Sequence, residues 1–563
     1  MKIRSVIYAL AVSSLASLAQ AAGITVTTNS NADARDGALS LTEAILISNG
    51  ELALETLDED EQALVEGTPG ENDRILFNIP GEGPHIIPIP HADHGFLSDS
   101  GFPPIRSDNT VLDGYSQPGA QPNSNGILEP NNAVLQIVIS ATEALATSEF
   151  DMLTILGDNV TVKGICSLGD GFFAQGPNWG INWRGDAAGG QVAGCWIGLA
   201  PDGETVWPHE IGVGSCCATG GGHIIGTNGD GVDDVSEFNI ISGNNVNTIF
   251  EGAANCRISG NFIGLRPDGL TPADDGGWGI TEGDATEGAN LDGLIFGTNS
   301  DGLADEHERN IVGGMADDVI SHFGGDNPGV IFAGNYIGVG IDGETPVPNQ
   351  NLFRHFNDLA DFRIGSDLDG VRDEIEANLI ANIEGFFYGF QSSFDFTNQG
   401  RLSLRGNSLF QNSMESNNGL TGSALARLLQ TDDIEVMRPT LSYDSAAGSE
   451  TIELTGTLPL TQEEEGIGAV MVDLYLADAD TLDSPQGETY LTTIEDNGSL
   501  DLDDQLGQFR IAVSSNWLPD DLAGPLYFTA TANIDEAGVI STSPFSTAVE
   551  TPIPTRILEW SLF

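Results

Sequence analysis

The sequence predicts an all-β chain whose centre is a right-handed parallel β-helix, flanked by an N-terminal cap and a C-terminal β-sandwich. Three observations predict it: a repeat of about 70 residues, short apolar runs bounded by Gly and Asn, and 71 glycines among 563 residues. A chain this long exceeds one ordinary globular core, whereas a solenoid grows by repetition. Segments of helical period are scarce in the central stretch, which argues against a globular α/β fold.

The repeat has two halves. Gly226, Gly297 and Gly365 each open the pattern Gly-x-x-x-Asp-Gly-x-x-Asp-x-x-Glu-x-Asn, at intervals of 71 and 68 residues. Between the copies run Cys195-Trp-Ile-Gly…Asp202-Gly, Asn261-Phe-Ile-Gly…Asp268-Gly and Asn335-Tyr-Ile-Gly…Asp342-Gly. A β-helix turn of a little over 20 residues would give each unit about three coils, hence roughly 15 coils and a rod near 70 Å. Gly260-Asn261, Gly334-Asn335 and Gly406-Asn407 read as corners, where Gly and Asn tolerate left-handed backbone and stacked asparagines can bond along the axis.

The boundaries follow from changes of pattern. Residues 1–21 carry basic Lys2 and Arg4, an apolar run and Ala19-Gln20-Ala21, the form of a secretory signal. Residues 22–60 supply a strand, Gly23 to Thr28, and a helix opened by the capping box Ser40-Leu-Thr-Glu43. The solenoid fills 61–435. Alternating strands such as Ala469 to Leu476 and Leu526 to Ala532 place a β-sandwich at 436–550, and 551–563 is a tail. No later segment approaches the roughly 20 apolar residues of a transmembrane helix.

Charge bounds the partners. Lys plus Arg number 19 against 83 Asp plus Glu, a net charge of −64, with Lys2 and Lys163 the only lysines. Such a surface repels nucleic acid, anionic lipid and polyuronates, and fits a saline setting, bound cations, or both. Five cysteines lie between Cys166 and Cys256. Cys195 and Cys216, one short coil apart, are either a disulfide between stacked coils or small buried residues.

Ile24-Thr-Val-Thr-Thr28 with Leu39-Ser-Leu-Thr-Glu-Ala-Ile45 resembles the CSLREA segment at the start of many secreted bacterial right-handed parallel β-helix proteins. Here the Cys is missing and Thr42 replaces the usual Arg. Asp73-Arg-Ile-Leu-Phe to His85, and Leu112 to Gly119, are similar to stretches of the same proteins. The resemblance implies the fold and export, and it carries no agreed catalytic set.

Two kinds of segment offer chemistry. The acidic repeat supplies Asn228, Asp230, Asp234 and Glu237, then Asn299, Asp301, Asp305 and Glu308, then Asp367, Asp369, Asp373 and Glu376. Oxygens at this spacing suit Ca2+; the same residues also suit turns and caps. Departures from the repeat are the other kind. Trp179 and Trp183, beside Arg184 and Asp186, have the composition of a sugar surface, and Arg354, His355 and Asp358 join a cation, a proton carrier and an acid. Core aromatics and solvated loop charges are the plainer reading of both. His91-x-x-His94 with Asp93 is a weaker metal candidate.

These features lead to an exported extracellular or cell-surface protein that binds calcium and a polysaccharide or cell-surface glycan. The alternative is a secreted polysaccharide-degrading enzyme, a glycoside hydrolase before a polyuronate lyase. The hydrolase requires two carboxyls roughly 5 to 10 Å apart.

Overall fold

The computed structural model describes residues 21–89, 101–141, 150–169, 178–216, 219–273, 277–282, 291–322, 329–355, 362–390, 402–413, 415–416, 430–431, 434–435, 439–443, 452–458, 470–477, 479, 482, 485–519, 525–536, 539–542 and 545–552. The signal segment, Cys217, the His91–His94 pair and Phe356 to Asp358 lie outside them.

Short apolar runs fold into three sheets of twelve, ten and nine strands, visited in turn by the chain and parallel except for the edge strand Val65–Glu66. Ile224–Gly226 belongs to the first sheet, Asn239–Ile241 to the second and Val246–Phe250 to the third, before Arg257–Ser259 returns to the first. The chain is a parallel β-helix. Its core is a stack of like residues: Ile225, Ile258, Phe296, Phe332, Ile364 and Leu404 are paired in register and buried. Burying one such side chain contributes roughly 2 kcal/mol, and no coil achieves that alone.

Those same pairings correct the coil length. Ile225 faces Ile258, and Ile364 faces Leu404, so each rung advances the chain by about half a repeat unit. A unit therefore makes two coils, not three, and the rod is about 50 Å long rather than 70 Å. The surplus residues sit in two excursions. One coil carries the acidic loop between its first and second strands; the next turns that corner at Gly260 and carries a spur instead. The spurs close with the bridges Leu199–Val206, Leu265–Pro272 and Val339–Pro346. They cover the outer face of the second sheet, burying Trp196, Leu199, Ile240, Phe262, Leu265, Ile311 and Val347 in a separate apolar cluster.

The two halves of the repeat meet at one corner. Asn239, Asn261, Asn310, Asn335, Asn378 and Asn407 form a ladder in which each Nδ2 donates to the next Oδ1 at 2.8–3.0 Å. Cys195 holds the preceding rung, its N–H donating to Asn239 Oδ1 at 2.8 Å. Gly226, Gly297 and Gly365 have φ near +100°, and a Cβ there would collide with the carbonyl oxygen of the next coil.

Cys166, Cys195 and Cys256 are buried, as the apolar reading of the cysteines expects. Cys195 and Cys216 do not stack, since one precedes a second-sheet strand and the other follows the third-sheet strand Ile211–Ser215. Their spacing matches no coil.

Both ends are covered. Gly23–Val26 pairs in parallel with Arg74–Phe77, so the first rung already lies in the segment assigned to the cap. The helix Leu41–Ser48 starts with the Ser40–Glu43 capping box. At the far end two antiparallel sheets share one apolar core and dock on the last coil. Arg405 and Asp473 make two hydrogen bonds of 2.7 Å in full burial. Tyr475 and Phe545 enter the rod's own core.

Candidate functional site

The sequence-derived candidates Trp179, Trp183, Arg184, Asp186, Arg354 and His355 all fall on or beside the third sheet, on Asn178–Trp183, Asn351–His355 and the turn after the first. They do not converge. Five strand steps separate the two strands in the sheet order, about 24 Å. Trp183 is fully buried and stacks on His223, ring centroids 4.4 Å apart, so the core reading holds for it. Trp179 is 3% exposed, packed with Ile211, Val246 and Ile249. Neither offers a platform to a ligand.

Arg184 does not pair with exposed Asp186 but with Asp151 of the preceding coil, at 2.7 Å, and burial raises the Asp151 carboxyl pKa against that attraction. Arg354 likewise holds Asp317 at 2.9 Å and Asp318 at 2.8 Å. Asp318 is completely buried, and desolvation pushes its pKa up to about 6 despite the guanidinium.

Register brings forward residues that sequence spacing does not. Glu210, Asn245, Gly277 and Asp317 precede successive strands of this sheet and follow one another through backbone hydrogen bonds of 2.8–3.3 Å. Asn245 donates to Glu210 at 2.9 Å, and burial raises the Glu210 carboxyl pKa. Beside Gly277 stands Trp278, half-buried against the cluster of Trp179, Ile211, Val246 and Ile249; its Nε1 is itself buried and has no partner among the described residues. An aromatic face thus lies between an amide–carboxyl pair on one side and Asp317–Arg354 on the other. No motif marks it, because each contributing residue is a whole coil from the next along the chain.

The two carboxyls flanking Trp278 stand three strand steps apart, about 14 Å at the backbone. Hydrolysis of a glycosidic bond needs about 5 to 9.5 Å. Lys163, the only lysine beyond residue 2, is 3.3 Å from Asp113 on the first sheet.

The acidic loops repeat one geometry three times. Glu237, Glu308 and Glu376 accept the backbone N–H of Asn228, Asn299 and Asp367 at 2.9–3.1 Å. Asp230, Asp301 and Asp369 accept from Val232, Leu303 and Val371 at 2.7–2.9 Å. Thr227 donates to Asp234 at 2.8 Å, while Asp305 and Asp373 accept from Gly302 and Gly370. Cations already present are arginines: Arg257 pairs with Glu308, Arg363 with Asp367 and Glu376, and Arg372 with Asp305. In the third loop one oxygen each of Asp367, Asp373 and Glu376 lies within 4.8 Å of the others, a donor set that fits a hard cation.

No family model matches this chain, and no curated protein sequence matches it. A structural likeness is found to the enzymatically active domain of tailspike protein 2 of bacteriophage CBA120. It has 12% identity and a TM-score of 0.18 over 85% of this chain and 70% of that one. A superposition so loose carries no argument about this protein.

Proposed function

We propose that the chain is an exported, extracellular or cell-surface rod that binds neutral polysaccharide against Trp278 and does not cleave it. What supports this is one observation: a half-buried indole on the third sheet, set between Glu210–Asn245 and Asp317–Arg354. Sugar rings stack on such a face while amides, carboxylates and a guanidinium take their hydroxyls. The burial of Asp318 in its ion pair with Arg354 favours binding over hydrolysis. A polyuronate lyase is disfavoured further by the net charge and by Lys163 lying against Asp113. Affinity electrophoresis in neutral and uronate polysaccharides tests the reading. Retardation by a neutral polymer, weakened roughly tenfold or more in Trp278→Ala, supports it; release of reducing ends defeats it.

Export rests on the signal-like segment ahead of Ala22 and on the CSLREA-like segment, and is tested by N-terminal sequencing of protein from the culture medium. Calcium is the other part of the proposal, at the third loop: Asp367, Asp373 and Glu376 supply three oxygens, and Arg363 must give way. That competition predicts weak affinity. Thermal melting at fixed ionic strength should rise with CaCl2 and fall with chelator, and a midpoint indifferent to both removes calcium from the account.

A further inference from the structure

Asp73, at the head of the first sheet, is completely buried, and among the described residues no cation pairs with it. Arg74, the next residue, is committed to Asp113 at 2.8 Å. The Asp73 oxygens accept from neutral donors: the Ala22 N–H at 3.0 Å, the Gly70 N–H at 2.9 Å and the Ser48 hydroxyl. Burial raises the carboxyl pKa against all three. A carboxylate taken out of water without a counter-charge is costly, and adding the counter-charge recovers much of that cost.

The nitrogen beside Asp73 is the one that processing would expose. Ala22 follows Ala19-Gln20-Ala21, the small-residue end of the signal-like segment. Ala22 is 1% exposed, whereas Ala21 is exposed and meets Thr68 in an isolated bridge. The edge of the buried rung and the expected scissile bond therefore coincide. The Ala22 carbonyl accepts from the Arg74 N–H at 2.8 Å, which fixes the residue from its other side and keeps its nitrogen against Asp73. In the uncut chain that nitrogen is a neutral amide. Hydrolysis adds water across the Ala21–Ala22 peptide bond: Ala21 leaves as a carboxylate, and the Ala22 nitrogen becomes an ammonium. An α-amino group titrates near about 8, so beside a carboxylate it is charged at neutral pH.

We propose that removal of the signal segment after Ala21 creates a buried ion pair between the Ala22 ammonium and Asp73, which fastens the first rung of the solenoid. This rests on the export reading and is independent of the Trp278 face. N-terminal sequencing of the exported protein should start at Ala22. Another first residue overturns the proposal and leaves export standing; no protein outside the cytoplasm defeats export and the proposal with it. Three forms released from an N-terminal fusion separate charge from hydrogen bonding: one starting at Ala22, one starting at Ala21, and the Ala22 form acetylated at its α-nitrogen. The last two keep an N–H at Ala22 but carry no charge there. Their melting midpoints at neutral pH should lie about 3 °C or more below that of the free Ala22 form. Asp73→Asn should lower the Ala22 form by a similar amount and the Ala21 form by less than half of it. Equal midpoints for the three forms, or an equal Asp73→Asn loss in the Ala22 and Ala21 forms, overturn the proposal. Amine acylation gives a reading that needs no substitution, because without Lys2 the other primary amine is Lys163. The Ala22 terminus should react at least tenfold more slowly than the Ala21 terminus, and equal rates overturn the proposal.

Discussion

Replacing Asn310 by alanine probes the ladder that joins the two halves of the repeat. Its Oδ1 accepts from the N–H of Asn261 at 3.1 Å and from Asn261 Nδ2 at 2.9 Å, and its Nδ2 donates to the Ile258 carbonyl at 2.8 Å. The truncation leaves the Asn261 N–H buried without its partner, while Asn261 Nδ2 keeps the Ile225 carbonyl at 2.9 Å. One orphaned N–H at about 1–3 kcal/mol, plus the two rung-to-rung bonds to Asn261 and Asn335 at about 1 kcal/mol each, give a cost of about 3–5 kcal/mol. The solenoid of about 390 residues carries an unfolding entropy near 0.8 kcal/mol/K, so the calorimetric midpoint should fall by about 5 °C. Hydrogen exchange should quicken most at residues 258–263 and 310–312, on the coils the rung connects. A midpoint shift under 1 °C, or exchange accelerated evenly along the rod, refutes the reasoning.

Three further outcomes are expected. Asp473→Ala strands buried Arg405 and should cost about 3–5 kcal/mol, seen as earlier proteolytic release of the C-terminal sheets from the rod. His209 and His223 are held neutral by burial, their pKa lowered to about 4. The unfolded chain therefore takes up their protons first, and the stability they confer, about 3 kcal/mol each, is present above pH 6.5 and lost as pH falls towards 4. His223→Phe, which keeps a ring against Trp183, should flatten that acid limb in pH-dependent melting; an unaltered limb would show that other groups set it. Ser300 sits at φ 58° with a buried hydroxyl lacking a partner among the described residues, where the first loop has Gly229. Ser300→Gly should raise stability by about 1 kcal/mol in chemical denaturation, and a loss would contradict the strain argument.

The contrast between fold and site has a physical cause. Strands, corners and the Ser40–Glu43 cap are local in sequence, so apolar runs and Gly-Asn pairs reveal them. Coil length is not legible in the sequence, because acidic loops and spurs look like coil material until register assigns them to the corners. The Trp278 face stayed hidden for the same reason: Glu210, Asn245, Trp278 and Asp317 become neighbours only once the rungs are aligned. Trp183 has the composition of a sugar platform, yet the pairing of Ile181 with Leu153 and Val213 turns that edge of the strand into the core.

The most direct test of the account measures polysaccharide binding and cleavage on one preparation, wild type beside Trp278→Ala, by isothermal calorimetry with reducing-end release from the same cells. The account predicts binding of a neutral polysaccharide, weakened roughly tenfold or more by the substitution, with no new reducing ends. Wild-type binding unaffected by Trp278→Ala, or cleavage abolished by Glu210→Gln, would contradict it.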